Sequence, residues 1–163
     1  PPRSTLFPYT TLFRSGSGSS GTHGGLVAGF LGNHIDVPIV GIGVSRDPAD
    51  QQPLVIKEAQ AVADLLGLGL SVTPDDVTCV GGFWQPKYSV PNAKMVEAVQ
   101  LLARTEAIPL DPVYTGKIMA GLIGLARQGH FQPGERVLFL HTGGLPSLFA
   151  YAREVLGQAP VAD

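Results

Sequence analysis

A run of glycine and serine near the start of the chain has the composition of a phosphate-binding loop. The run is GSGSSGTHGG, residues 16–25, and the apolar segment LVAGFLG follows it. Glycine lets the backbone turn its N–H groups inward, and Ser19, Ser20 and Thr22 add hydroxyl donors. A helix that starts directly after such a loop also favours an anion through its dipole. The run lacks the Gly-Lys-Ser/Thr of a Walker loop and the later acid of a dinucleotide fingerprint, so a flexible linker is the alternative.

Two further motifs combine glycine with groups that can contact a ligand. DPVYTGK, residues 111–117, places Tyr114 and Thr115 at the start of a predicted helix. Asp111 and Thr115 are also typical turn and cap residues, so the motif has a purely structural alternative. HTGG, residues 141–144, ends a predicted strand, and its glycines permit either close approach to a ligand or a simple turn.

Composition limits the classes of function. The 163 residues are 44% hydrophobic and 15% charged, which predicts a globular domain with a core. The net charge is −2 without a basic cluster, so we expect no nucleic-acid partner, and no apolar run is long enough to span a membrane. One cysteine, Cys79, and four histidines without metal-ligand spacing predict no internal disulfide, no metal site and a cytoplasmic location.

The elements that must position these motifs alternate between strand and helix. Strands are predicted at residues 37–45, 76–80 and 136–140, and helices begin near Leu26, at Pro48, after Asn92, within DPVYTGK and at Pro146. This alternation predicts an α/β fold with a mostly parallel sheet flanked by helices. Ligands bind beyond the carboxyl ends of the strands in such sheets, which is where the three motifs lie.

The first 15 residues, PPRSTLFPYTTLFRS, match no functional segment. Pro8, Tyr9 and Thr10 interrupt the apolar stretch that a signal peptide needs, and there is no histidine tag. All 15 residues correspond, in one reading frame, to the translation of a common short-read sequencing adapter. We therefore interpret residues 1–15 as an adapter-derived artefact and residues 16–163 as the natural part, cut on its N-terminal side. The β-prone stretch TLFPYTTLF can nevertheless take the place of a strand that leads into the loop.

Three longer segments contain the ligand-type motifs. They are SGTHGGLVAGF (20–30), WQPKYSVPNAKMVEAVQLLARTEAIPLDPVYTGKIMAGLIGLARQG (84–129) and RVLFLHTGGLPSLFAY (136–151). In this order they resemble the D-cysteine desulfhydrase and 1-aminocyclopropane-1-carboxylate deaminase family, which are pyridoxal 5'-phosphate enzymes. The resemblance implies a truncated tryptophan synthase β-like fold (fold type II), with residues 16–163 as its C-terminal half, mostly the large cofactor-binding domain.

The resemblance also implies roles for individual residues near the cofactor and the small amino-acid substrate. They are Ser19, Ser20, Gly21 and Thr22 for the cofactor phosphate, and Tyr88 and Tyr114 as two active-site tyrosines. Thr115 and Thr142 match two positions that separate the family's branches. The deaminase pattern has glutamate and leucine there, whereas two threonines match the desulfhydrase-like pattern.

The two threonines have a chemical consequence. A carboxylate keeps the pyridine nitrogen protonated, whereas the hydroxyl of Thr142 or Thr115 can only hydrogen-bond a neutral nitrogen, so the electron sink is weaker. Loss of a thiol needs less activation than cyclopropane opening. We therefore expect α,β-elimination of D-cysteine, or a related amino acid, to pyruvate, hydrogen sulfide and ammonia. A cyclopropane deaminase, a cysteate sulfo-lyase and a non-catalytic phosphate-binding module are the alternatives.

Part of the expected enzyme has no counterpart in the chain. The resemblance implies that the Schiff-base lysine and a serine near the substrate carboxylate lie upstream of residue 16, because none of the four lysines has the matching context. We therefore expect the chain by itself to have no lyase activity. The full-length parent is expected to be a homodimer, as relatives commonly are.

Overall fold

The computed structural model describes residues 11–163, so residues 1–10 of the segment interpreted as adapter-derived lie outside the described residues. The described part forms one sheet and six helices. The strands are β1 (Thr11–Ser17), β2 (Ile39–Gly43), β3 (Thr78–Val80) and β4 (Arg136–Phe139). The helices are α1 (Gly21–Gly32), α2 (Pro48–Leu65), α3 (Ala93–Glu106), α4 (Thr115–Arg127), α5 (Ser147–Ala150) and α6 (Ala152–Val155), and a single 3-10 turn at Pro74–Asp76 precedes β3.

All four strands are parallel, in the order β3-β2-β1-β4. Phe13 on β1 pairs in register with Ile39 on one side and with Leu138 on the other. The chain moves outward from β1 to β3 and then returns to the opposite side of β1 as β4. The connections after β1 and β4 therefore diverge, which leaves a crevice at the carboxyl edge between these two strands. The predicted α/β fold with a parallel sheet is confirmed.

Each face of the sheet has its own apolar core. The crossover connections place α1 and α2 on one face during the outward path, and α3 and α4 on the other face during the return. The first core includes Phe13, Val27, Ala28, Ile39, Val55 and Ala59. The second includes Ile42, Val44, Met95, Val99, Ile118 and Ala120. Because both faces are covered, β2 is apolar and buried along its whole length.

Local signals mark several helix ends correctly. Asn92 caps α3 as predicted, since its side chain accepts a hydrogen bond from the backbone N–H of Met95 at 2.8 Å. Gly67 and Gly129 follow α2 and α4 with φ angles of +62° and +72°, which suit glycine. Proline opens α2 at Pro48, where its missing N–H costs no helical hydrogen bond.

Two helices depart from the sequence prediction because tertiary contacts intervene. Helix α1 begins at Gly21 rather than near Leu26, and its first turn is already packed tightly, since a Cβ on Gly24 would lie 2.9 Å from the backbone N of Ala59 in α2. The predicted last helix is instead two short helices that meet at Tyr151. The hydroxyl of Tyr151 donates to the carbonyl of Ser89 at 2.9 Å, which ties the break to a distant loop.

Strand β1 contains residues 11–15 of the segment interpreted as adapter-derived. Arg14 on this strand is fully buried, donates from Nη1 to the carbonyl of Phe13 at 3.1 Å and stacks on the ring of Phe131. Within residues 11–163, its Nε and Nη2 atoms have no hydrogen-bond partner. Such a guanidinium on a central strand is a conflict between local sequence and fold. This conflict agrees with the adapter interpretation, which stays a prediction.

Candidate functional site

A cavity of about 230 Å³ lies at the carboxyl edge of the sheet. Its walls come from the loops that follow β1, β2 and β4 and from the start of α4. The lining residues are Gly16, Gly18, Ser19, Ser20, Thr22, Val44, Tyr114, Ile118 and Thr142. Five of these nine carry a hydroxyl, and none of them carries a carboxylate. The three motifs that were separate in sequence thus meet at one site, whose chemistry suits an anionic or hydrogen-bonding ligand.

The glycine-serine loop is short and tightly turned. Only residues 18–20 separate the end of β1 from the start of α1. Ser20 adopts the left-handed conformation with a φ of +76°, which costs a non-glycine residue about 1–2 kcal/mol. Gly18 leaves no space for a side chain, because a Cβ there would lie 2.9 Å from Cγ2 of Val44. The loop brings the first turn of α1, whose backbone N–H groups lack helical acceptors, to the edge of the cavity.

The carboxylate of Asp111 organises the DPVYTGK turn. It accepts hydrogen bonds from the backbone N–H groups of Val113 and Tyr114 at 2.8 Å and of Thr115 at 2.7 Å. The hydroxyl of Thr115 donates to the same carboxylate at 2.7 Å and accepts from the Asp111 backbone N–H at 2.8 Å. Thr115 is therefore buried and engaged within the turn, as the structural alternative predicts, whereas Tyr114 extends to the cavity.

Tyr88 reaches the site through Tyr114. Their hydroxyls are hydrogen-bonded and their rings are edge-on, with centroids 5.8 Å apart. This hydrogen bond with Tyr114, together with burial, raises the pKa of Tyr88 to about 12, so its hydroxyl is protonated at neutral pH. The loop that carries Tyr88 is held by Lys117, whose Nζ donates to the carbonyls of Trp84 at 2.8 Å and Lys87 at 3.0 Å. Burial lowers the pKa of Lys117 to about 8.

The HTGG turn places Thr142 on the wall of the cavity. Gly143 and Gly144 have φ angles of +88° and +87°, so this turn needs both glycines. The ring of His141 accepts a hydrogen bond from the Gly143 N–H at 3.1 Å. A Cβ on Gly144 would lie 2.8 Å from Cγ of Asp111, so the HTGG turn packs directly on the DPVYTGK turn.

The predicted site residues separate into two groups. Those on the cavity wall are Ser19, Ser20, Thr22, Tyr114 and Thr142. The others do not line the cavity: Gly21 opens α1 between two lining residues, Tyr88 contacts the site through Tyr114, and Thr115 is buried behind it.

Sequence reasoning missed the apolar part of the wall and the residues beneath the loop. Val44 and Ile118 line the cavity, although in sequence they are ordinary core residues of a strand end and a helix stripe. Gln51 and His23 are fully buried under the loop. No sequence signal marks these residues, because their role depends on which helix packs against the loop.

Other kinds of site find no support in the part of the chain that the structure describes. Across residues 11–163, no three His, Cys, Asp or Glu side chains lie close enough together to hold a metal ion. Nor does that stretch contain a helix of the length and apolarity needed to cross a membrane. Burial raises the pKa of Cys79 to about 11, so this thiol is protonated at neutral pH.

Comparison with known proteins extends over most of the chain. Residues 8–143 match the protein family described as "Pyridoxal-phosphate dependent enzyme". The D-cysteine desulfhydrases of Salmonella paratyphi C (strain RKS4594) and Salmonella typhi are each 47% identical over 135 residues, which is 83% of this chain and 40% of theirs. A crystal structure of an ACC deaminase homologue superposes with a TM-score of 0.80 at 30% identity, over 96% of this chain and 46% of that one. The chain thus spans about two fifths of the length of the curated relatives it matches.

Proposed function

Because the chain belongs to the pyridoxal-phosphate dependent enzyme family, we propose that it is the cofactor-binding part of a carbon–sulfur lyase acting on D-cysteine or a related amino acid. The products are pyruvate, hydrogen sulfide and ammonia. The observation that carries the proposal is the meeting of the glycine-serine loop, Tyr114 and Thr142 around one cavity. The similarity to D-cysteine desulfhydrases over 83% of the chain supports the choice of substrate class.

The residues of the cavity fit the cofactor. Hydroxyls of Ser19 and Thr22, with the first turn of α1, would hold the phosphate, and the absence of a carboxylate among the lining residues favours an anion. Val44 and Ile118 offer apolar surface to the pyridine ring. When bound, pyridoxal 5'-phosphate supplies an electron sink for the bonding electrons of the substrate Cα–H. The hydroxyl of Tyr88 is protonated at neutral pH and hydrogen-bonded to Tyr114, so it is not available as a base.

Thr142 is a better candidate than Thr115 for the residue that hydrogen-bonds the ring nitrogen of the cofactor. It lines the cavity, whereas the Thr115 hydroxyl is engaged with Asp111 as both donor and acceptor. A hydroxyl donor hydrogen-bonds the nitrogen without protonating it, so the sink stays weak. A weak sink suffices to expel a thiol, which is a good leaving group, and favours elimination over opening of a cyclopropane ring.

We infer that the lysine that anchors the cofactor lies in a part of the parent enzyme outside these 163 residues. None of the four lysines is among the residues that line the cavity. Lys117, the buried one, points away to the carbonyls of Trp84 and Lys87. On this proposal the chain of 163 residues has no lyase activity, and the complete parent is the homodimer that we expect.

The substrate proposal is tested in the complete parent enzyme. Its coding sequence upstream of residue 16 is first recovered by sequencing across the junction between residues 15 and 16. Release of ammonia and a 2-oxo acid, which all four reactions share, is measured with D-cysteine, L-cysteine, cysteate and 1-aminocyclopropane-1-carboxylate, and D-cysteine is expected to have the highest kcat/KM. The double change Thr115→Glu with Thr142→Leu is expected to move preference toward the cyclopropane substrate. A parent enzyme that prefers that substrate, or a double variant with unchanged preference, contradicts the account of the threonines.

A non-catalytic phosphate-binding module is the second candidate, because the cavity wall contains hydroxyls but no lysine. The same upstream sequence distinguishes the two functions. A lysine followed by a serine-containing loop supports the lyase, and a complete gene without them supports the module.

A further inference from the structure

Three fully buried polar side chains form a cluster directly beneath the glycine-serine loop. They are Ser17 at the end of β1, His23 in the first turn of α1 and Gln51 on α2. Nε2 of Gln51 donates to Oγ of Ser17 at 3.0 Å, to the carbonyl of Gly18 at 3.2 Å and to Oγ of Ser20 at 2.9 Å. Gln51 thus contacts the loop along its length but does not itself line the cavity.

The orientation of the Gln51 amide follows from its partners. The carbonyl of Gly18 can only accept a hydrogen bond, so the NH₂ group of the amide must face the loop. Nη1 of Arg46 donates to the same carbonyl at 3.0 Å and lies 3.4 Å from Oε1 of Gln51, which the NH₂ orientation leaves free to accept. Gln51 on α2 and Arg46 in the turn before α2 therefore both hold the loop at the carbonyl of Gly18.

His23 keeps the cluster neutral. Burial lowers the pKa of His23 to about 4, so its ring is uncharged at neutral pH. Nδ1 of the ring is 3.1 Å from Oγ of Ser17, and the ring packs against Gly41, where a Cβ would lie 2.2 Å from Nδ1. Packing on Gly41 therefore fixes the ring, the ring is hydrogen-bonded to Ser17, and Ser17 in turn accepts from Gln51.

We propose that Gln51 is a positioning residue that holds Ser20 in its left-handed conformation and thereby sets the affinity of the chain for a phosphate monoester. Ser20 is strained at a φ of +76°, and the hydrogen bond from Gln51 to its hydroxyl is the contact that offsets this strain. A loop already in the binding conformation does not lose further entropy when the phosphate binds. The inference rests on the proposed function, because it takes the loop to be the phosphate site.

The test compares Gln51→Met with Gln52→Met in the chain of 163 residues. Gln52 is the neighbouring residue on α2, and its Nε2 donates to the carbonyls of Pro74 at 3.1 Å and Val77 at 2.8 Å, near the 3-10 turn rather than the cavity. The probes are pyridoxine 5'-phosphate, which lacks the aldehyde, and pyridoxine, which lacks the phosphate. Gln51→Met is expected to raise the Kd for the phosphate ester about ten- to hundredfold and to leave pyridoxine binding unchanged, whereas Gln52→Met changes either Kd by less than about twofold.

The same substitution in a Ser20→Gly background is a second test, because that background removes the strain that Gln51 is proposed to offset. Glycine adopts a φ of +76° without strain, so Gln51→Met is expected to cost less than about threefold in Kd in that background. Amide hydrogen exchange without ligand gives an independent readout, since Gln51→Met is expected to speed exchange in residues 18–20 and Gln52→Met is not.

The outcomes separate the two proposals. Equal affinity of Gln51→Met and the unchanged chain for pyridoxine 5'-phosphate overturns the positioning role and leaves the phosphate site intact. Equal losses in Gln51→Met and Gln52→Met also overturn it, because they indicate a general loss of stability. An unchanged chain that binds pyridoxine as tightly as its phosphate ester overturns the phosphate site of the proposed function, and the inference with it.

Discussion

Replacing the buried Arg14 by methionine is expected to stabilise the protein. Arg14 lies on the central strand β1 with 0% of its surface exposed. Burial lowers the pKa of Arg14, and the negative charge of Glu135 offsets only part of this effect. Among residues 11–163, Nε and Nη2 of Arg14 find no hydrogen-bond partner, so the folded state carries the cost of their lost hydration.

The size of the effect follows from these contacts. A buried donor without a partner costs about 1–3 kcal/mol, so the two nitrogens together cost about 2–6 kcal/mol. The stacking on Phe131, with a distance of 5.2 Å to the ring centroid, returns about 0.5–2 kcal/mol, and the hydrogen bond to Phe13 returns about 1 kcal/mol. Methionine fills similar space and makes a favourable sulfur contact with the ring. We expect the free energy of unfolding to rise by about 1–3 kcal/mol. Each kcal/mol is expected to raise the Tm by about 2–4 °C.

Urea denaturation followed by circular dichroism measures the change. The slope of the free energy of unfolding against urea concentration is expected to stay the same. The matched control is Arg136→Met, at an exposed position at the start of β4, where we expect a change below about 0.5 kcal/mol. A lower stability of Arg14→Met than of the control variant would show that the guanidinium is well paired and would refute the reasoning from burial.

Two further predictions concern α4. Gly116→Ala is expected to lower the free energy of unfolding by about 1–3 kcal/mol, because its Cβ would lie 2.8 Å from the carbonyl oxygen of Asp111 and 2.8 Å from Cγ2 of Val99. In the control Gly25→Ala in α1, the added Cβ meets nothing within 4 Å, so the free energy of unfolding is expected to rise by about 0.5–1 kcal/mol. Equal changes of the two variants in chemical denaturation would contradict the packing argument. Lys117 has a folded-state pKa of about 8, below its ordinary 10.5, so between these pH values the unfolded chain binds a proton that the folded chain does not. The stability of the unchanged chain relative to Lys117→Met is therefore expected to rise with pH across that window, and a flat difference in denaturation curves would disprove it.

Local chemistry accounts for the parts of the fold that the sequence predicts well. Asn92 caps a helix because its own side chain reaches the third N–H along the chain, and Gly67 ends a helix because it accepts a left-handed backbone. The alternation of apolar strands and amphipathic helices likewise predicts the parallel sheet. The family resemblance carried by the three quoted segments is confirmed by the matches to pyridoxal-phosphate dependent enzymes and D-cysteine desulfhydrases.

Contacts between distant segments account for the errors. The last helix breaks at Tyr151, which bonds to Ser89, and α1 starts early because Gly24 allows α2 to approach closely. Residue type alone also leaves Thr115 and Thr142 equivalent. They differ only because Asp111 takes up the first hydroxyl and the turn after β4 presents the second to the cavity.

The sequence by itself determined the fold class, the family and the loop types that can bind a phosphate, because these depend on periodicity and on residues close together in the chain. The tertiary structure alone decided which of these residues share a cavity, since that depends on the strand order and on the crevice between β1 and β4. It also decided that Gln51 supports the loop and that Arg14 is buried without sufficient partners. Both outcomes depend on packing between segments that no local pattern relates to each other.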